Sequence, residues 1–286
     1  MPETYIQNLT HFTTFLTAYT HTLLALRNLY PRATFLTARF HNTAIFQNRH
    51  PAVCAWITDA IAAVRTELLK GTVTRMVVAI YHAADSRRVN VMERFVIDVA
   101  SFLQVGKADW ETDVQFAPEP EVVDDDGRGK GNEKAKTPQL DASTDPNLSE
   151  QFRAALTLLH TRCAQLAPLP RDCSFNIAIE LKDEVDPPVG HPQPWIPVEP
   201  RLQRSSKGLN FRDRPIRSDR PSWDATQEGG DGELEKEGKD LGGVKVTPIR
   251  AVQAGVLRFE TWMEESKAKY EMAAREPDTV DSSRDF

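Results

Sequence analysis

Apolar residues recur at steps of three and four along three segments of the chain, the spacing typical of amphipathic helices. The segments cover residues 3–28, 51–70 and 146–167. Pro51 suits the first turn of the second helix, and Gly71 suits the position just past its end. The pattern therefore predicts three long helices, each with one apolar face.

Runs of β-prone residues lie between and after the predicted helices. Residues 76–81 form a continuous apolar run, and residues 91–99 alternate between apolar and polar positions after a short polar turn, which predicts a hairpin. Residues 173–181 alternate most strictly, and residues 244–252 and 256–263 are also typical of strands. Because helices and strands do not alternate regularly, we predict an α+β fold, a mixed or antiparallel sheet packed on three helices.

Two polar stretches interrupt this pattern. Residues 107–145 carry eleven acidic and five basic side chains together with several prolines and glycines. Residues 201–243 carry nine acidic and nine basic side chains and few apolar ones, and we place a second insertion at 203–243. Such compositions cannot bury a core, so both insertions are predicted to be disordered, as is a tail at 267–286. The remainder, roughly 200 residues, suffices for one core.

Composition argues against several classes of function. The net charge of −6 is not that of a polycation that coats nucleic acid. The chain has no nucleophile elbow, Walker loop, zinc-protease helix or dinucleotide-binding fingerprint. Its three cysteines are too few for a disulfide scaffold, and the seven histidines lack ligand spacing. We therefore expect a non-enzyme in a reducing compartment, with no metal and no cofactor.

One basic cluster leaves three interpretations open. Residues 201–220 hold seven basic side chains with Asp213 and Asp219 among them. The segment can be a solvated loop, a nuclear-import sequence or an arm that contacts DNA.

Several short stretches occur in a particular order and spacing outside the two insertions. They are residues 29–31, 50–56, 75–80, 93–98, 172–175, 194–196, 247–249 and 259–265. Together they resemble the HORMA-domain family and, within it, the accessory subunits of translesion DNA polymerase zeta, relatives of the spindle-checkpoint HORMA protein. The resemblance covers about 200 residues.

The resemblance implies a HORMA fold in which a mobile C-terminal segment, the safety belt, wraps around an extended partner peptide. Residues 1–106 and 146–182 would form the body of the domain, and residues 183–266 the belt, with the second insertion inside it. A peptide that adds to a sheet edge gains main-chain hydrogen bonds, and pockets for its side chains provide specificity. The expected function is that of an adaptor.

The same resemblance implies the residues that contact a proline-containing peptide. Tyr30 and Trp56 match two positions of an aromatic pocket, although Trp56 replaces the usual tyrosine of the family. Ala178 matches a third position that is usually larger. Pro194 and Trp195 match positions on the belt.

Two further surfaces follow from the resemblance. Val246, Glu260 and Trp262 match the surface that binds the C-terminal domain of a Y-family scaffold polymerase, with Glu260 replacing a neutral amide and Trp262 a tyrosine. Arg153, on the third helix, matches a residue at a HORMA dimer interface. A homodimer or heterodimer is therefore expected.

The resemblance thus implies a nuclear adaptor that bridges the catalytic subunit of polymerase zeta to a scaffold polymerase. One alternative is a mitotic checkpoint HORMA protein that binds a cell-cycle regulator. Another, of a different class, is a DNA-binding protein that uses the basic arm 201–220. No membrane association is expected.

Overall fold

The structure is a computed structural model that describes residues 4–85, 88–112, 146–182, 185, 188, 195–196, 198 and 243–275. Four α-helices lie in these residues: α1 (Tyr5–Leu26), α2 (Pro51–Lys70), α3 (Pro146–Cys163) and α4 (Lys267–Arg275). The strands are β1 (Phe35–Phe40), β2 (Thr43–Asn48), β3 (Val73–Asp85), β4 (Arg88–Asp98), β5 (Cys173–Leu181), β6 (Gly243–Ala254) and β7 (Leu257–Ser266). The basic arm 201–220 lies outside the described residues.

The ends of the first two helices follow from local chemistry. The hydroxyl of Thr4 accepts the N–H of Gln7, and the side chain of Gln7 accepts the N–H of Thr4, which forms a reciprocal cap at the start of α1. Pro51 begins α2. Gly71 ends it at φ 69°, in the left-handed region that glycine adopts without strain, and a Cβ there would lie 3.3 Å from the Gln104 side chain.

Five strands form one antiparallel sheet in the order β5-β3-β4-β7-β6. The predicted hairpin of the central strands is confirmed by the pairing of β3 with β4. A separate two-stranded sheet, β1 with β2, lies against α1. The fold is therefore α+β, as the sequence predicts.

The two faces of the main sheet differ in chemistry. One face packs on α1, α2 and α3, and the side chains of Phe95, Phe175 and Phe259 enter the hydrophobic core from three different strands. The other face, called here the outer face, carries charged residues such as Arg75 and Arg94 in the central strands. This alternation positions one row of side chains for packing and the other for interaction.

Two boundaries differ from the sequence prediction. Residues 267–275 form α4, so the prediction of a disordered tail from 267 is wrong there; Lys269 is fully buried. The sequence predicts that the first insertion begins at residue 107, but Lys107–Asp109 form a 3₁₀ turn, and the indole of Trp110 packs on the core. In both places the stabilising contacts come from distant parts of the chain, which local composition cannot reveal.

Candidate functional site

Strands β5 and β6 lie at opposite edges of the main sheet, with three strands between them. β5 pairs with β3 on one side, and no described strand pairs with its other side. The chain leaves β5 at Leu181 and enters β6 at Gly243, so the segment 182–242 joins the two edges. An unpaired edge of this kind can accept an extended peptide as an additional strand.

One main-chain donor on this edge is satisfied by a neighbouring side chain. The N–H of Ile177 donates to Oδ1 of Asn176 at 2.8 Å. Because the donor bonds to this side chain and not to β3, it lies on the unpaired side of β5. Such a local hydrogen bond makes indiscriminate pairing with other strands less favourable.

Three aromatic residues from three elements meet beside this edge. The ring of Phe175, in β5, lies 5.1 Å from the Trp56 indole and 6.4 Å from the Tyr30 ring, both in edge-to-face geometry. Trp56 remains 43% exposed. Burial, and to a smaller extent the nearby Tyr81, raises the pKa of Tyr30, so its hydroxyl stays neutral and can donate a hydrogen bond.

The sequence-predicted pair Tyr30 and Trp56 therefore lies in one place, and Phe175 joins them. The sequence-based prediction of the site does not include Phe175, although its place in the strictly alternating strand marks it as a large side chain on the core-facing side. Its contact with Trp56 depends on how α2 packs against the sheet, which no local pattern encodes.

Ala178 does not share this cluster. It pairs with Val77 of β3, and strand alternation directs its side chain to the outer face, opposite to that of Phe175. A peptide contact by Ala178 would therefore involve the outer face.

The belt residues are described only in part. Trp195 is half-buried and packs against the hydrophobic core, whereas the following Ile196 is 84% exposed. Pro194 lies outside the described residues. Trp195 thus fixes one point of the segment 182–242 on the body of the domain.

The three residues predicted to bind a scaffold partner lie on the C-terminal hairpin β6–β7. Glu260 and Trp262 alternate outward along β7, and Val246 of β6 is 63% exposed. The indole N–H of Trp262 donates to Oε1 of Glu264 at 2.8 Å, and the Arg75 guanidinium lies 5.8 Å from its ring. Trp262 is therefore a half-buried, oriented side chain on the outer face.

Ion pairs connect the strands of the outer face. Arg75 binds Asp98 at 2.8 Å and Glu180 at 2.9 Å. Arg94 binds Glu180 at 3.1 Å and Glu264 at 3.3 Å. Glu180 of the edge strand β5 is thus linked through β4 to the C-terminal hairpin, and the hairpin's position affects both surfaces.

Arg153, predicted at a dimer interface, lies on the exposed side of α3. Its guanidinium is 3.8 Å from Glu150, one turn earlier in the helix. At this separation and exposure, the ion pair contributes little to stability, so the side chain is available to a partner.

The described residues include no group of three or more histidine, cysteine or acidic side chains that could hold a metal ion. Burial raises the pKa of Cys163 to about 12 and that of Cys173 to about 11, which keeps both thiols protonated and weakly nucleophilic. Among the described helices, none has the length and apolar character needed to cross a membrane.

The described residues form an antiparallel sheet backed by helices, and the segment 182–242 connects its two edge strands, β5 and β6. The comparison of the sequence with protein-family models agrees with this arrangement. The HORMA domain model matches residues 9–206, more than half of the chain. The protein belongs to the HORMA-domain family. No curated protein matches the sequence.

Solved structures share the fold at low sequence identity. A chain of the mitotic checkpoint complex aligns with a TM-score of 0.55 at 10% identity, covering 90% of this chain and 98% of that one. The structure of C. elegans HTP-2 bound to the HIM-3 closure motif aligns with a TM-score of 0.50 at 10% identity, covering 93% of this chain and 92% of that one. The structure of C. elegans HTP-1 bound to the same motif aligns with a TM-score of 0.50 at 12% identity, covering 93% of each chain.

Proposed function

We propose that the protein is a non-catalytic adaptor that binds an extended partner peptide along β5 and holds it with the segment 182–242. The observation that carries this proposal is the unpaired side of the edge strand β5, beside which the Phe175–Trp56 aromatic pair lies. The C-terminal hairpin lies at the opposite edge of the sheet and leaves this side of β5 open. Main-chain hydrogen bonds would supply affinity, and the aromatic side chains would select an apolar or proline residue.

Membership of the HORMA family supports this proposal. The HTP-1 and HTP-2 structures are complexes with closure motifs. At 10–12% identity these likenesses concern the fold.

Within this function, we propose that the peptide belongs to the catalytic subunit of polymerase zeta, and that the protein acts in translesion synthesis in the nucleus. The second partner would be the C-terminal domain of a Y-family scaffold polymerase, bound by Val246, Glu260 and Trp262. The exposure of Val246 and Glu260 and the orientation of Trp262 support an interaction surface there. A HORMA homodimer or heterodimer through Arg153 is part of the same proposal.

A second candidate is a checkpoint adaptor that binds a cell-cycle regulator. The likeness to a chain of the mitotic checkpoint complex, with a TM-score of 0.55, is compatible with it through the shared fold.

Affinity capture from nuclear extract with the full chain, read by mass spectrometry, tests these proposals. Recovery of a B-family polymerase catalytic subunit supports the translesion role, and recovery of mitotic regulators supports the checkpoint role. If neither is recovered and the chain binds DNA with a steep salt dependence, the DNA-binding alternative is favoured.

The variant Trp195→Ala serves as the negative control for peptide capture. Loss of this half-buried aromatic side chain should weaken capture of a synthetic copy of the recovered peptide roughly thirtyfold, about 2 kcal/mol. The exposed Ile196 offers a matched control, and Ile196→Ala should bind the peptide like the wild type. Equal affinity of all three proteins in titration calorimetry would exclude Trp195 from the peptide site.

A further inference from the structure

Two buried glutamates face each other across the contact between the body of the domain and its C-terminal hairpin. Glu93 of β4 pairs directly with Glu265 of β7, and both side chains are at most 2% exposed. Like charges in directly opposite positions of a sheet repel each other, and buried carboxylates are stable only when they are paired. The hairpin therefore requires a cation at this point to pair with β4 in this register.

Lys269 in the first turn of α4 provides that cation. Its Nζ donates to Oε1 of Glu93 at 2.6 Å and to Oε1 of Glu265 at 2.6 Å, and its side chain is 1% exposed. Because the helix follows β7 directly, Lys269 reaches both carboxylates only when the hairpin is docked on β4.

Arg27 completes the cluster from the other side. Its guanidinium binds Glu93 through two hydrogen bonds of 2.8 and 2.6 Å and donates to the carbonyl oxygen of Ala167 at 2.7 Å. Such a two-point contact orients the carboxylate and leaves Oε1 of Glu93 shared between Arg27 and Lys269.

The four residues divide into two neutral halves. Arg27 and Glu93 precede the segment 182–242, and Glu265 and Lys269 follow it. Each half contains one positive and one negative charge, so the halves can separate without leaving a net charge in either part. Lys245 of β6 also lies beside this site, with its Nζ 3.6 Å from Oε2 of Glu265, but its side chain is 58% exposed. Removal of Lys269 therefore leaves the two buried carboxylates with the buried Arg27 and this largely exposed lysine.

We infer that Arg27, Glu93, Glu265 and Lys269 form a charge-balanced latch that fixes the C-terminal hairpin and α4 on β4. The latch favours this position and register of the hairpin, since a shift of β7 would separate Lys269 from Glu93. A consequence for binding rests on the proposed function: the latch has to stay closed while the segment 182–242 holds a peptide.

Hydrogen exchange of the full chain without peptide tests the latch independently of any partner. In Lys269→Met, exchange across residues 257–275 should accelerate on the order of a hundredfold, because a carboxylate loses its buried partner. Exchange in β3 should remain at the wild-type rate. The matched control is Lys267→Met, at the neighbouring lysine that is 67% exposed and pairs with Glu271 at 3.2 Å; it should exchange like the wild type.

The double variant Lys269→Met/Glu265→Gln restores charge balance and should recover most of the protection. If Lys269→Met fails to fold, this double variant, which should fold, carries the test. The inference is overturned if Lys269→Met exchanges like the wild type, if exchange accelerates equally in β3, or if the double variant gives no recovery.

The consequence for binding is measured with a synthetic copy of the peptide identified by affinity capture. The latch predicts that Lys269→Met releases this peptide at least tenfold faster than Lys267→Met does. If wild-type protein captures no peptide, the proposed function fails while hydrogen exchange still decides the latch. If exchange changes locally but release does not, the latch does not control the peptide site, and that part of the inference is wrong.

Discussion

The ring of Phe175 stands at 84° to the indole of Trp56, with 5.1 Å between the ring centroids. Phe175 belongs to the edge strand β5 and is 9% exposed, whereas Trp56 belongs to α2 and is 43% exposed. The buried ring therefore supports an exposed one at the margin of the unpaired edge. A partner peptide on β5 would meet an indole face whose orientation is already set by packing.

The first prediction concerns Trp56. Trp56→Ala should weaken peptide binding roughly thirtyfold, about 2 kcal/mol, because aromatic anchors dominate such interfaces. Its large exposed fraction predicts only a small change in unfolding free energy. Titration calorimetry and thermal unfolding measure the two effects. Leu36→Ala is the control, since Leu36 is 52% exposed but lies on the separate β1–β2 sheet. Equal losses of peptide affinity in both variants would contradict the assignment of Trp56 to the peptide site.

A second prediction concerns the hydrogen bond that satisfies the N–H of Ile177. Asn176→Ala removes the acceptor, so the N–H becomes available to a peptide strand. We expect peptide affinity to rise about fivefold, the equivalent of one net hydrogen bond of about 1 kcal/mol. Ser174→Ala, on the same strand and face, should leave affinity unchanged. Weaker peptide binding by Asn176→Ala would show that the side-chain amide of Asn176 itself contacts the peptide.

The third prediction separates the two proposed partner surfaces. Trp262→Ala should abolish binding of the scaffold polymerase domain and leave peptide binding intact, because Trp262 lies on the outer face of β7. The exposed Arg258, also on β7, provides the control Arg258→Ala. Paired titrations with circular dichroism measure the outcome. If folded Trp262→Ala binds both partners normally, the checkpoint alternative gains over the polymerase role.

The fourth prediction tests the first insertion. Deletion of residues 113–145 should change the melting temperature by less than about 5 °C, since this composition cannot bury a core. Deletion of 107–145 should lower it further because it also removes Trp110, whose carbonyl accepts the N–H of Ile6 at 3.2 Å. Thermal unfolding of both variants measures the difference. Equal melting temperatures would mean that the Trp110 contacts contribute nothing.

The fifth prediction concerns Cys163, whose pKa burial raises to about 12. At pH 8 only about one thiol in ten thousand is the reactive thiolate, so iodoacetamide should spare Cys163 in the folded protein and modify it in urea. The thiol of the unfolded chain ionises near pH 8.5, whereas the buried thiol stays protonated up to about pH 12. The free energy of unfolding should therefore fall as the pH rises from about 8.5 to 12. Mass spectrometry of the modified peptides measures the reaction. Rapid labelling of the native protein would show that α3 opens readily.

The sequence by itself determined most of the secondary structure and the family. Helix periodicity placed α1, α2 and α3, and alternation placed β5 and put Glu260 and Trp262 on one face of β7. These features depend on residues that are close in sequence, where side-chain period and helix-capping residues act directly.

The tertiary structure alone decided which residues meet. Phe175 joins Trp56, and Ala178 is separated from both, because the packing of α2 on the sheet and the strand alternation together fix their positions. Strand order, too, is set by packing between distant segments. It leaves β5 unpaired at one edge and puts β7 beside β4.

The C-terminal residues 267–275 show most clearly that local sequence does not determine which segments are ordered. Their composition predicts disorder from residue 267, yet residues 267–275 form α4 around the buried Lys269. A nine-residue helix is marginal in isolation. The carboxylate of Glu93, 176 residues away in sequence, binds the Lys269 ammonium and, with Glu265, compensates for its burial. Only the folded chain brings these charges together, and therefore only the tertiary structure determines that this segment is ordered.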